Sequence, residues 1–238
     1  RISSLYQKVD YLKNLKVDFV VTKKFDKKFS KTKSINFIRE ILGKKLKPKF
    51  IFVSNNFRFG NKREGNVSQL IKFQSLYGYR VIKPEPLVIN KKIASSSLIR
   101  NFLQNGRLDK ANKFLNRNWS IDGKVQKGKQ LGKKIGFPTA NIDIKNYVLA
   151  KPGVYAVRVK KMNEKKFFNG IANLGYRPTF KQKKILLEVN LFNFSGNLYN
   201  KKLSVEFIRF LRGEKKFNGI AQLRNQIKRD ILKAKNIK

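Results

Sequence analysis

The sequence contains no cysteine and no histidine, and only one methionine and one tryptophan. Without cysteine there is no disulfide, no thiol nucleophile and no thiolate metal site. Without histidine there is no Ser-His-Asp triad, no imidazole proton shuttle and no Cys/His zinc site. Acid is scarce as well: 14 Asp and Glu stand against 56 Lys and Arg, a formal charge of +42. Proton transfer is thereby confined to those few carboxylates, the lysines and the tyrosines. Long apolar runs are missing too. Stretches such as Val17–Thr22 and Phe50–Val53 fall far short of the ~18 residues that cross a bilayer. The start of the chain lacks the apolar core of a signal peptide. The expected location is the cytoplasm, with no membrane partner.

What is present is a foldable chain of 238 residues, 41% hydrophobic and 12% aromatic, with room for two modest domains. A charge of +42 attracts any polyanion, so a basic nucleic-acid-binding protein is the alternative class throughout. The distribution argues against it. Lysine runs from Lys8 to Lys238 without one dense block, in company with abundant Asn, Ile and Phe. All four have A/T-rich codons, so a biased base composition explains the excess without a specific nucleic-acid partner. The chain begins at Arg1 and its single methionine is Met162, so it is expected to be a piece of a longer product.

The first half alternates helical and strand-like segments. Leu5, Val9 and Leu12 recur at helical spacing behind a serine cap. Phe19-Val20-Val21 reads as a short strand, Ser34–Leu42 as a helix and Phe50–Val53 as a buried strand. Gln69–Gly78 then reads as a helix, Arg80–Ile82 as a strand, and Leu98–Leu103 and Leu108–Leu115 as helices, the first capped by Ser95-Ser96-Ser97. Alternation of this kind predicts a parallel α/β sheet. After Asn116 the pattern changes to short strands separated by Gly, Pro and Asn: Val154–Val159, Phe167–Ala172, Ile185–Phe192 and Leu203–Phe210. This half predicts an antiparallel barrel or sandwich, closed by an amphipathic helix over Ile220–Ala234. The expected domains are 1–116 and 117–238.

Three elements in the second half can carry chemistry. In Gly128–Asn141 (GKQLGKKIGFPTAN), Gly128, Gly132 and Gly136 permit tight backbone, with Lys129, Lys133 and Lys134 beside them. Backbone N–H groups of such a loop can cradle phosphate. The GK[ST] ending of a Walker loop is absent, and a glycine-bearing hairpin in a lysine-rich chain would look the same. Within it, Thr139 and Asn141 supply neutral hard oxygens suited to Mg²⁺ that keeps water and phosphate ligands. A proline turn with a Thr/Asn cap gives the same string. In Ile185–Phe192, period-two alternation sets Leu187, Val189 and Leu191 on one face and Glu188 with Asn190 on the other. Glu188 is either a solvated strand residue or a general base.

In this order the three elements resemble the riboflavin kinase family. The likeness continues through NLGYRPTF (173–180), Leu198-Tyr199 and LRGEKKF (211–217) to the last helix. The first half resembles the adenylyltransferase module of the bifunctional bacterial enzyme that makes FMN and then FAD. There it rests on Phe57–Gly60, the loop through Arg63 and Gly65, and SSSLIR (95–100). The implied fold is an incomplete nucleotidyltransferase-like (Rossmann-like) α/β part followed by an antiparallel barrel with a terminal helix. The implied cofactor is Mg²⁺, with ATP as co-substrate, riboflavin as substrate and FMN as product.

The resemblance also implies roles. Gly128 and Lys133 would meet ATP phosphates, Thr139 and Asn141 would hold Mg²⁺, and Glu188 would accept the proton of the riboflavin 5′-hydroxyl. Leu191, Asn193 and Tyr199 would line the adenine side; Arg212, Lys215 and Phe217 the flavin side. Ser95, Ser96 and Arg100 would meet ATP phosphates at a helix N-terminus in the other module. The sequence departs from the family there. No HxGH-type motif is possible without histidine, Asn56 stands for the usual Asp and Ser54 for the usual Gly. In the kinase half, Asn190 replaces a frequent His and Asn200 the usual Gly. Kinase activity is therefore expected, and FAD synthesis is expected to be lost in this chain.

Overall fold

The computed structural model describes residues 1–128, 130–144, 147–162, 164–178 and 183–237, in two compact units. One unit is Asp18–Ile93; the other joins Arg1–Val17 to Ala94–Lys238.

The smaller unit is built around a helix and a pair of parallel strands. Strand β1 (Phe50–Phe52) pairs in parallel with β4 (Arg80–Ile82), and β2 (Arg58–Phe59) pairs with β3 (Gly65–Asn66). A hairpin of β5 (Val88–Ile89) and β6 (Lys92–Ile93) ends the unit. The helix starting at Ser34 widens to π-type bonding over Phe37–Leu46. It buries Ile38 and Leu42 against Phe59 and Leu70, the core of this unit. Two sequence expectations are corrected here. Phe19-Val20-Val21 forms no strand, since no neighbouring chain bonds to it and Phe19 and Val21 are exposed. Phe50–Val53 is not a buried strand: only Ile51 of β1 turns inward, while Phe50 and Phe52 are exposed. An apolar run alone does not say how many partners a strand finds.

The larger unit is a closed barrel. Its strands are β7 (Ser120–Gln126), β8 (Ala140–Asp143), β9 (Gly153–Lys161), β10 (Phe168–Pro178), β11 (Lys183–Leu191) and β12 (Lys202–Gly213). They are ordered β10-β11-β8-β7-β12-β9 with every neighbouring pair antiparallel. Closure leaves no unpaired edge, which settles the barrel-or-sandwich alternative. Alternation fills the interior: Ile142, Leu174, Leu187, Val189, Leu203, Val205 and Phe207 are fully buried. The rings of Trp119 and Tyr155 pack on Phe207 at 4.6 and 5.1 Å. The helix Ile220–Lys235 lies across β9, β10 and β12.

Two helices precede the barrel, Ser96–Gln104 capped by Ser95 and Leu108–Leu115, with Phe102 on Phe114. Asn112 ties the second to the barrel, accepting from Trp119 N and donating to the Phe207 carbonyl. The first helix, Leu5–Asn14, also belongs to this unit. Its capping box pairs Ser4 with Gln7, whose amide donates to the Ser120 carbonyl and hydroxyl at 3.2 and 2.9 Å. Trp119 Nε1 donates to the Ile2 carbonyl, and Arg117 lies 4.1 Å over the Tyr11 ring.

Candidate active site

The barrel register assembles the site. Glu188 on β11 stands opposite Asn141 on β8 and opposite Asn173 on β10. Adjacent strands lie about 4.8 Å apart, so the three side chains form one row on one face. That face is the outer one, because the flanking Leu187, Val189, Ile142 and Leu174 fill the interior. Glu188 is half-buried there, a setting that leaves a carboxylate accessible to a hydroxyl while restricting water.

The glycine loop lies against the Asn141 end of the row. A Cβ on Gly128 would run into the Asn141 amide, and one on Gly132 would come within 3.3 Å of Thr139 Oγ1. Glycine is what allows the backbone to approach so closely. Thr139 directly precedes β8 and shares the outer face with Asn141, the residue that faces Glu188 across the strands. Asn190, two residues beyond Glu188, donates to the Pro138 carbonyl at 2.8 Å and fastens the turn to β11. Gln130 Nε2 donates to the Tyr199 hydroxyl at 3.0 Å, joining the loop to the 198–199 segment. Gly128, Thr139, Asn141, Glu188 and Tyr199 are thus brought into one region. Asn193 takes a left-handed turn (φ 52°) just after β11, which ends at Leu191, while Lys133 is exposed on the loop.

On the opposite flank, the Arg212 guanidinium makes a bidentate pair with Asp230 at 2.7–3.1 Å and lies 5.9 Å from the Phe217 ring. Lys215 is exposed and Phe217 half-buried. The Glu214 carboxylate rests against Gly175, two residues along β10 from Asn173. Ser95 accepts from Leu98 N as a helix cap and, like Ser96 and Arg100, is exposed. Lys129 and the Thr179-Phe180 end of the NLGYRPTF string lie outside the described residues.

Sequence reasoning gave no role to Asn173, Gln130 or Asp230. Asn173 and Gln130 sat inside strings already singled out, and only strand register and loop closure made them partners of Glu188 and Tyr199. Asp230 carried no signal, being one acid on a helix. The smaller unit holds a further surprise, a cavity of about 300 Å³ among Phe25, Phe29, Phe37 and Phe59 with Arg58 and Arg63. Gly60 at its wall has φ 76°, and a Cβ there would meet Ser34 Cα at 2.7 Å. A separate cavity of about 610 Å³ in the barrel unit is lined by Tyr6, Asp122, Lys124, Lys161 and Lys202, and does not include Glu188. Beside it Asp122 has one carboxylate oxygen without a hydrogen-bond partner. Burial raises its pKa above the ordinary 3.8, against the Ser204 and Gln7 bonds that favour the ionised form.

Barrel, terminal helix and outer-face row together define a riboflavin-kinase-type fold. The sequence model of the riboflavin kinase family matches residues 115–238, and that of FAD synthetase matches residues 1–98. The chain belongs to the bifunctional riboflavin kinase/FMN adenylyltransferase family. It is 39% identical over 234 residues to that enzyme from Buchnera aphidicola of Schizaphis graminum, covering 97% of this chain and 75% of the relative. The Haemophilus influenzae enzyme is 39% identical over 235 residues (99% and 76%), and the Escherichia coli K12 enzyme 36% over 235 (99% and 75%). A crystal structure named a macrolide-efflux protein from Streptococcus pneumoniae superposes over 100% of this chain and 76% of its own, with a TM-score of 0.86 and 25% identity. Among the described residues, no helix is long and apolar enough to cross a membrane.

Proposed function

We propose that this chain transfers the γ-phosphoryl group of ATP to the 5′-hydroxyl of riboflavin, giving FMN and ADP, with Glu188 as the general base. The observation that carries this reading is the row Asn141, Glu188 and Asn173, with the glycine loop packed on Asn141. As the O5′–Pγ bond forms and the bond to the leaving β-phosphate oxygen breaks, Glu188 takes the hydroxyl proton. Phosphoryl transfer asks for little else beyond positioning and charge neutralisation. Backbone at Gly128 and the Lys133 ammonium serve the phosphates; Leu191, Asn193 and Tyr199 the adenine; Arg212, Lys215 and Phe217 the flavin.

The residues present fit Mg²⁺. Thr139 and Asn141 offer neutral hard oxygens on one face beside the glycine loop. Among the described residues no group of three acids forms a rival metal site. When bound there, Mg²⁺ would neutralise charge on the transferring phosphate oxygens.

We place the functional boundary between 1–116 and 117–238. The FAD synthetase match over residues 1–98 weighs against dismissing FMN adenylylation, although that reaction would have to run here without any imidazole. We infer that it runs at least ~10²-fold more slowly here than the same reaction assisted by an imidazole, the usual worth of acid–base assistance. The partners are then small molecules, and reliance on ATP puts the reaction in the cytoplasm. Nucleic-acid binding, the alternative, would show as affinity falling steeply with salt. The test supplies the folded chain with riboflavin, ATP and Mg²⁺, then with FMN and ATP, and separates products by chromatography. Folded protein that makes no FMN overturns the kinase assignment.

A further inference from the structure

The pair between Arg212 and Asp230 is almost wholly withdrawn from water, with side chains 15% and 1% exposed. Arg212 Nε and Nη2 donate to both Asp230 oxygens, Gln226 Nε2 adds a bond of 2.9 Å to Asp230 Oδ1, and Arg212 Nη1 holds the Gly213 carbonyl at 2.9 Å. Burying an ion pair is a poor route to stability, since apolar replacements do as well or better. Its value lies in fixing one geometry. Arg212 is the next-to-last residue of β12, just before the segment leading to Phe217, while Asp230 sits in the helix laid across β9, β10 and β12.

The fixed geometry reaches the active site. A Cβ on Gly153 would strike the Arg212 carbonyl, so this backbone is seated tightly on β9. Beyond it, the Glu214 carboxylate rests on Gly175, on the face that carries Asn173 and Glu188. We infer that Asp230 is a positioning residue for riboflavin: through Arg212 it anchors the 212–217 segment to the terminal helix. This rests on the reading of 212–217 as the flavin side. The helix is therefore part of the binding machinery as well as a cover for the barrel.

The test compares Asp230→Asn, Gln226→Leu and Phe217→Ala in the full chain, measuring KM for riboflavin and for ATP, kcat and the thermal midpoint. Asp230→Asn raises the riboflavin KM about tenfold and leaves the ATP KM within about twofold, as expected when one partner of a buried pair is neutralised. Gln226→Leu, which keeps the ion pair, gives a smaller shift of the same selectivity and decides the matter if Asp230→Asn does not fold. A lowered thermal midpoint with both KM values at wild type overturns the inference. If Phe217→Ala raises the riboflavin KM while Asp230→Asn does not, the positioning role fails and the flavin-side reading survives. If Phe217→Ala leaves it unchanged, the flavin-side reading itself fails.

Discussion

Glu188→Gln isolates the proton-acceptor role from everything else Glu188 does. The substitution keeps the length of the side chain and its reach toward Asn141 and Asn173, the two register partners. Leu187 and Val189 stay fully buried on the inner face, so the barrel core is untouched. Stability is accordingly expected to change by no more than about 0.5 kcal/mol, as for substitutions outside the core. Catalysis is different. Loss of a general base costs ~10²–10⁴ in rate. At 1.36 kcal/mol per factor of ten, that is about 3–5 kcal/mol added to the barrier. Neither ATP nor riboflavin needs the Glu188 charge for binding, so both KM values should remain within about twofold, and the whole loss falls in kcat. The assay is initial-rate FMN formation at saturating substrates, with circular dichroism and thermal melting as the control for folding. A near-wild-type kcat would remove Glu188 from the mechanism, and a collapse of riboflavin affinity would make it a binding residue instead.

Gly128→Ala drives a methyl group into the Asn141 amide, and should raise the ATP KM at least several-fold while the melting temperature holds; unchanged ATP kinetics would refute the loop's placement over the metal–phosphate face. Asp122→Asn removes a carboxyl whose pKa burial has raised above 3.8. In the wild type, the native state is penalised once pH exceeds the raised value, and the penalty fades as pH falls toward the unfolded value. The variant should melt higher than wild type at about pH 7–8, with the gap closing toward about pH 4; a gap that does not depend on pH would refute the assignment. Leu187→Ala empties a fully buried site in the barrel and should cost about 2–5 kcal/mol of stability in denaturant titration. A smaller loss would mean the barrel collapses onto the void.

The strongly patterned elements were legible from local sequence. Leu108–Leu115 and Arg80–Ile82 have the extents the sequence predicts, and four of the six barrel strands were visible as short segments between Gly, Pro and Asn turns. Strands β7 and β8 were not, because Gly123 breaks the alternation of one and the other spans only four residues. Phe19–Val21 read as a strand for the opposite reason: β-branched and aromatic residues fit a strand only where another strand offers hydrogen bonds.

The sequence alone excluded thiol and imidazole chemistry from these 238 residues, offered Glu188, Thr139 and Asn141 as candidates beside a structural alternative for each, and marked Gly128 as a place for close backbone. These follow from residue chemistry and from a period of two, both local properties. Tertiary structure decided which of them meet. Register set Asn141 and Asn173 beside Glu188, loop closure joined Gln130 to Tyr199, and helix docking buried Asp230 against Arg212. It also gave residues 1–17 to the barrel unit, through Gln7 and Trp119, across more than a hundred residues of chain. Such pairings depend on cross-strand hydrogen bonds and on burial shared between distant segments, quantities that no local window of sequence contains.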